Sequence, residues 1–213
     1  MLLKMVSLLG KAFLSISSLE GESIFDEYWD FLLILDACRF DTFSKIVKEV
    51  GIEGELRKML SKGSNTSEWF SKNFSGKYPD IIYINSNPVV TNLIEKRKVE
   101  FFHVENVWVD GWDEEHSTVL PETLIDRFFE LYPYYPMKRY IIHFLQPHFP
   151  YLSMPEFGKK AMEMAREGKW KRGIVIKGIN LADWEFYLSY RKEEWRKAYE
   201  ENLRYVLKVI KEK

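Results

Sequence analysis

Cysteine is almost missing from this chain. Among 213 residues there is one, Cys38, which excludes an internal disulfide and fits a reducing, cytoplasmic compartment. Excess charge of either sign is missing too: 31 Lys and Arg stand against 32 Asp and Glu, for a net charge of −1. A nucleic-acid surface needs a strongly basic stripe, so nucleic acid is not an expected partner. The apolar runs are too short for an integral membrane segment. A secretory leader fits poorly, because Lys4 and Lys11 interrupt the apolar N-terminus. No internal repeat and no low-complexity segment occurs. What is present is an ordinary globular composition, 46% hydrophobic and 30% charged, long enough for a single α/β domain with a sizeable core. Aromatic residues, 16% of the total, suit an aromatic core, with a carbohydrate-binding or interface surface as the alternative.

Hydrophobic patterning divides the chain into alternating strands and helices. Leu2, Met5, Val6, Leu9, Phe13 and Ile16 recur at helical spacing, which predicts an amphipathic N-terminal helix within residues 1–20. Phe31-Leu32-Leu33-Ile34-Leu35-Asp36 reads as a strand buried on both faces. A helix follows from Asp41 to Val50, stopped by Gly51. After the turn at Lys62-Gly63-Ser64-Asn65 a short helix runs from Thr66 to Phe74, capped by Asn65 with Glu68 or by Ser64. Ile81 to Ile84 and Phe101 to Val109 are further strands, separated by a helix from Val89 to Lys96. Asp110 to Thr118 is a polar loop, Pro121 opens a helix through Leu131, and Arg139 to Leu145 is the fourth strand. Beyond it, 152–190 reads as a helical, lid-like insertion with a short strand at Ile174 to Ile176, before a long helix from Arg191 to Lys211. Alternation of this kind predicts a mostly parallel sheet in a three-layer α/β/α sandwich.

Chemistry concentrates where such strands end, since open parallel sheets place ligands outside their carboxyl edges. Three exits carry polar groups: Asp36, Asn85-Ser86-Asn87 and His148, with the turn before Thr66 able to lie beside Asp36. Asp36 can bind a hard divalent cation, or it can simply cap a helix. Thr66 heads a helix, where free N–H groups and the helix dipole favour an oxyanion, so it is the candidate nucleophile or again a cap. His148 can contact a metal or a substrate oxygen, or be an ordinary loop residue.

These residues resemble a known family. Trp29-Asp30 with the strand Phe31 to Asp36 and Ala37-Cys38-Arg39-Phe40-Asp41 is similar to the first metal-ligand motif of sulfatase-like members of the alkaline phosphatase superfamily. Gly63-Ser64-Asn65-Thr66-Ser67-Glu68-Trp69 is similar to the segment carrying their nucleophile. Gly111-Trp112-Asp113-Glu114 through Pro121-Glu122, and Ile141-Ile142-His143-Phe144-Leu145-Gln146-Pro147-His148-Phe149-Pro150-Tyr151, match in the same order, with a weaker echo at Tyr199 to Tyr205. The resemblance implies an alkaline phosphatase-like sandwich and hydrolysis of a small sulfate or phosphate ester, glycan-like substrates included, through a covalent intermediate. It implies Thr66 as nucleophile, Asp36 as ligand to a divalent metal (Zn, Ca, Mg or Mn), and His148 and Asn65 as substrate contacts.

The departure from the family is equally specific. Its members continue past the long helix to an Asp-His-Gly sequence that completes a two-metal site, whereas this sequence ends at Lys213 and its four histidines follow Phe, Glu, Ile and Pro. One carboxylate and a lone imidazole make a poor zinc site. A C-terminally truncated relative is the expectation, with an exposed sheet edge that invites a homodimer. Other chemistries fail on spacing. A cysteine phosphatase needs Arg where Ser44 stands, a formylglycine sulfatase needs Pro and Arg where Phe40 and Thr42 stand, and a haloacid-dehalogenase-like phosphatase needs Asp at Cys38. Two functions stay open: an ester hydrolase weakened or silenced by loss of half its metal site, or a catalytically silent scaffold or binding protein.

Overall fold

The computed structural model describes residues 3–7, 21–166 and 192–213. In chain order its elements are β1 (Leu3–Ser7), β2 (Phe31–Asp36), α1 (Phe40–Val50), α2 (Thr66–Asn73), β3 (Lys77–Asn85), α3 (Pro88–Arg97) and β4 (Glu100–Asn106). A short hairpin follows, β5 (Trp112–Asp113) and β6 (Thr118–Val119), then α4 (Pro121–Leu131), β7 (Arg139–Pro147), α5 (Pro155–Arg166) and α6 (Lys192–Glu212). The large sheet runs β1-β2-β7-β3-β4, and every pairing in it is parallel. Helices cover both faces, so the α/β reading of the sequence holds.

Strand parity builds the layers. Phe31, Leu33 and Leu35 of β2 pack with Phe43 and Ile46 of α1, Leu124 of α4, and Leu203 and Val206 of α6. Leu32 and Ile34, pointing the other way, pack with Trp69 and Phe70 of α2 and Val90 of α3. With both faces covered, all six residues of β2 are buried, and the polar alternation of a half-solvated strand disappears. Each of these aliphatic side chains contributes roughly 1.5–3 kcal/mol by leaving water. Much of the aromatic content is spent the same way: Phe74, 1% exposed, meets the rings of Phe25, Trp69, Phe70, Tyr78, Tyr83 and Phe101.

The local signals set most helix ends. α1 stops at Gly51, whose φ of 73° a residue with a side chain adopts only with strain. α3 starts with Pro88 behind the cap Asn87. α6 buries Ala198, Asn202, Leu203, Val206, Leu207 and Val209. Two expectations change. The N-terminal helix is not formed over Leu3–Ser7, which is a strand paired from Leu3 with Phe31 to Ser7 with Leu35. A backbone ladder on β2 outweighs helical periodicity there. The strand expected to reach Val109 ends at Asn106, and a 3₁₀ turn takes Val107–Val109. The α5 helix opens the expected lid; 8–20 and 167–190, with the short strand at 174–176, lie outside the described residues. No described helix is long and apolar enough to cross a membrane.

Candidate functional site

The parity that sorts the core also sorts the polar strand ends. Continuing Leu32 and Ile34, the Asp36 side chain falls on the α2/α3 face of the sheet. Ile141 of β7 and Ile81 and Tyr83 of β3 lie on that face too, so His143 and Asn85 follow in the same phase. β7 sits between β2 and β3. Asp36 and Asn85 thus close β2 and β3, and His143, inside β7 and paired with Asn85, lies between those strands on the same face.

Asp36 is 4% exposed and is held from two helix starts. Thr66 Oγ1, at the head of α2, donates to it from 3.2 Å to either carboxylate oxygen, across 30 residues of sequence. Asn87, the cap of α3, donates its Nδ2–H to Asp36 Oδ2 at 2.8 Å while its Oδ1 accepts from the Val89 N–H. Asn85 steadies Asn87 in turn, accepting from its N–H at 2.9 Å and donating to its carbonyl at 3.0 Å. The turn after β2 is tight: Ala37 has φ of 55°, an unusual value for a residue with a side chain. Tyr199 of α6 braces it, its hydroxyl accepting from the Arg39 N–H at 2.8 Å and donating to the Ala37 carbonyl at 3.1 Å.

The position of Thr66 is fixed just as locally. Asn65 caps α2 through Oδ1, accepting from the Glu68 N–H at 2.9 Å, and Glu68 reaches back to the Ser64 N–H and hydroxyl. Asn65 is therefore the cap, and Ser64, the alternative, instead donates to Glu68. Lys72 and Ser64 hold the Glu68 carboxyl down to about 2. Gly63 lets the turn press against the helix, since a Cβ there would lie 2.2 Å from the Trp69 backbone nitrogen.

Sequence reasoning missed His143. Its ring is fully buried, with Nδ1 2.8 Å from the Tyr83 hydroxyl and Nε2 4.0 Å from Asp36 Oδ2. Burial lowers its pKa, opposed by the Asp36 carboxylate. The imidazole is therefore neutral near pH 7, and at 4.0 Å the contact is neither an ion pair nor a hydrogen bond. Nε2 has no hydrogen-bond partner among the described residues. Burial first, and then the Asp36 charge, push the Tyr83 hydroxyl well above its ordinary pKa. A signal was present in the sequence: between Ile141 and Leu145, inside the span read as the fourth strand, His143 is polar among apolar residues.

The structure brings Asp36 and Thr66 together as expected, but not the other two candidates. His148 is exposed and its Nδ1–H donates to the Phe149 carbonyl; none of its described hydrogen bonds reaches Asp36 or Thr66. Asn65 is exposed, its side-chain oxygen spent on the cap.

The donor set can be weighed against a metal. Among the described residues no group of three or more His, Cys, Asp or Glu is placed to hold an ion. Asp36, the Thr66 hydroxyl and the orphaned His143 Nε2 give an oxygen-rich set with one nitrogen. Zinc, which wants three or four protein ligands, does not fit it. Magnesium or manganese, which keep waters and share substrate oxygens, do fit Asp36 with Thr66.

No family model, curated protein or solved structure matches this chain.

Proposed function

We propose that the carboxyl edge of this sheet is the reaction centre of a sulfate- or phosphate-ester hydrolase of the sulfatase-like kind, with Thr66 as nucleophile. The observation that carries the reading is the pairing of Thr66 Oγ1 with both oxygens of a buried carboxylate, 3.2 Å away. A threonine that only capped its helix would have its hydroxyl on a backbone N–H, and here Asn65 does that work. Asp36 orients the hydroxyl and accepts its proton as Oγ1 attacks phosphorus or sulfur. The ester oxygen leaves with the bonding electron pair, and water then cleaves the threonyl ester. Free N–H groups of the first turn of α2 face the transferred oxyanion. A magnesium- or manganese-type ion held by Asp36 and Thr66 would supply positive charge that makes the hydroxyl a better nucleophile. The small ester substrate, a cytoplasmic location and a homodimer formed through a sheet edge belong to this same proposal.

The competing reading is a silent scaffold or binding protein. It is favoured by the same hydrogen bonds, which also serve to tie the starts of α2 and α3 to β2. Steady-state turnover of an aryl phosphate and an aryl sulfate, with magnesium or manganese present, separates the two. The hydrolase reading expects activity in the wild type, reduced but measurable activity in Thr66→Ser, and none above background in Thr66→Ala. No turnover in either protein leaves the scaffold reading, and equal rates above background in Thr66→Ala and wild type overturn Thr66 as the nucleophile.

A further inference from the structure

The hydroxyl of Tyr83 is fully buried, and His143 Nδ1 is its one hydrogen-bond partner among the described residues. A buried hydroxyl that donates to nothing wastes a strong bond, and at a neutral imidazole a donor needs the unprotonated nitrogen. Tyr83 therefore donates to Nδ1, which puts the ring's own proton on Nε2. The carboxylate oxygen Asp36 Oδ2 lies 4.0 Å from that nitrogen, which has no hydrogen-bond partner among the described residues. The other groups against the ring and the carboxylate are neutral: Trp69, edge-on to His143 at 6.0 Å, Thr66 and Asn87. Among the described residues the Asp36 carboxylate is thus the ionic acceptor nearest to a preset donor. A shift of about 1 Å would make a charge-assisted bond of ordinary length.

The geometry points to Tyr83 and His143 as a positioning pair: Tyr83 locks His143 in the Nε2–H tautomer, and that N–H, on closing the remaining gap of about 1 Å, makes the bond that keeps Asp36 turned toward Thr66. The role of the pair in turnover rests on the hydrolase reading above, whereas the tautomer does not. His143 touches no reacting atom; it acts through Asp36. It works as the outer partner that fixes the orientation of a ligand or base, a class of contact whose loss lowers activity by about 10–100-fold.

Two measurements test this. Nitrogen-15 spectroscopy of the histidine rings in the full chain at neutral pH should find His143 with its proton on Nε2, and should find the same tautomer in Asp36→Asn, because Tyr83 sets it. A proton on Nδ1 in the wild type, or a switch to Nδ1 in Asp36→Asn, overturns the assignment. Side-chain isosteres then separate positioning from packing. His143→Gln places an N–H near the Nε2 position, and His143→Asn places its amide near Nδ1 instead. Positioning expects Gln to keep kcat within about threefold, Asn to lose about tenfold or more, and KM to stay constant in both. Equal losses in kcat that track loss of thermal stability overturn the positioning role. The spectra need no turnover, so a wild type without esterase activity would refute the hydrolase reading while the tautomer is still decided.

Discussion

Replacing Asn87 by alanine removes two interactions of different kinds at once, and their sum can be worked from the structure. The first is the 2.8 Å bond from Nδ2 to Asp36 Oδ2. A hydrogen bond to a charged group contributes about 1.5–3 kcal/mol. The second is the cap of α3, where Oδ1 accepts from the Val89 N–H at 2.9 Å, and losing such a cap costs about 1 kcal/mol. Together Asn87→Ala should destabilise by about 2.5–4 kcal/mol, a fall in Tm of roughly 5–15 °C for a domain of this size. Asn87→Ser keeps an oxygen for the cap and loses the amide donor, so it should recover about 1 kcal/mol of that loss. Asn87→Asp keeps the cap but sets a second carboxylate against Asp36, and should be at least as damaging as alanine. Urea unfolding at pH 7 with a constant m-value reads all three. An alanine variant within about 1 kcal/mol of wild type, or an Asp variant as stable as wild type, would refute the placement of Asn87 on the buried carboxylate.

Further expectations follow from the same contacts. Gly63→Ala drives a Cβ to 2.2 Å from the Trp69 nitrogen and 2.6 Å from its Cα, so α2 must move; thermal unfolding should show a loss of about 2 kcal/mol or more, and a neutral substitution would contradict the packing. Glu68, held at about 2 against an ordinary 4.5, has a depressed folded-state pKa. Its contribution is present above pH 4.5 and lost as pH falls toward 2. The stability gap between wild type and Glu68→Gln should accordingly be largest at neutral pH and close in acid; a gap that ignores pH speaks against the cap geometry. Tyr199→Phe removes both hydroxyl bonds bracing the Ala37 turn and should cost about 1–2 kcal/mol in urea unfolding. Unchanged stability would mean the turn holds itself.

How much of this the sequence disclosed depends on the range of the interaction. Gly51, Asn65 with Glu68, and Asn87 with Pro88 act over one turn of chain, and the helices they bound start and stop near the expected places. The pairing of Asp36 with Thr66 was also accessible, because both residues sit at element ends that a parallel sheet brings to one edge. His143 needed more. Its burial and its isolation among Ile and Phe are visible in sequence, but its face toward Asp36 depends on β7 lying between β2 and β3, an order that no local pattern encodes. Leu3–Ser7 went wrong for a related reason. Its apolar spacing suits a helix, and only a waiting partner strand makes it a ladder. His148 and Asn65 show the reverse error, since a polar residue beside a strand exit or helix start need not face the site.

The central claim is that Thr66 carries the transferred group. It is tested most directly by quenching wild-type protein in acid during turnover of an aryl phosphate or sulfate and mapping the modified peptide. The account expects one phosphoryl or sulfuryl group on Thr66, and neither adduct nor turnover in Thr66→Ala. Turnover with the group on another residue, or turnover that survives Thr66→Ala, would contradict it.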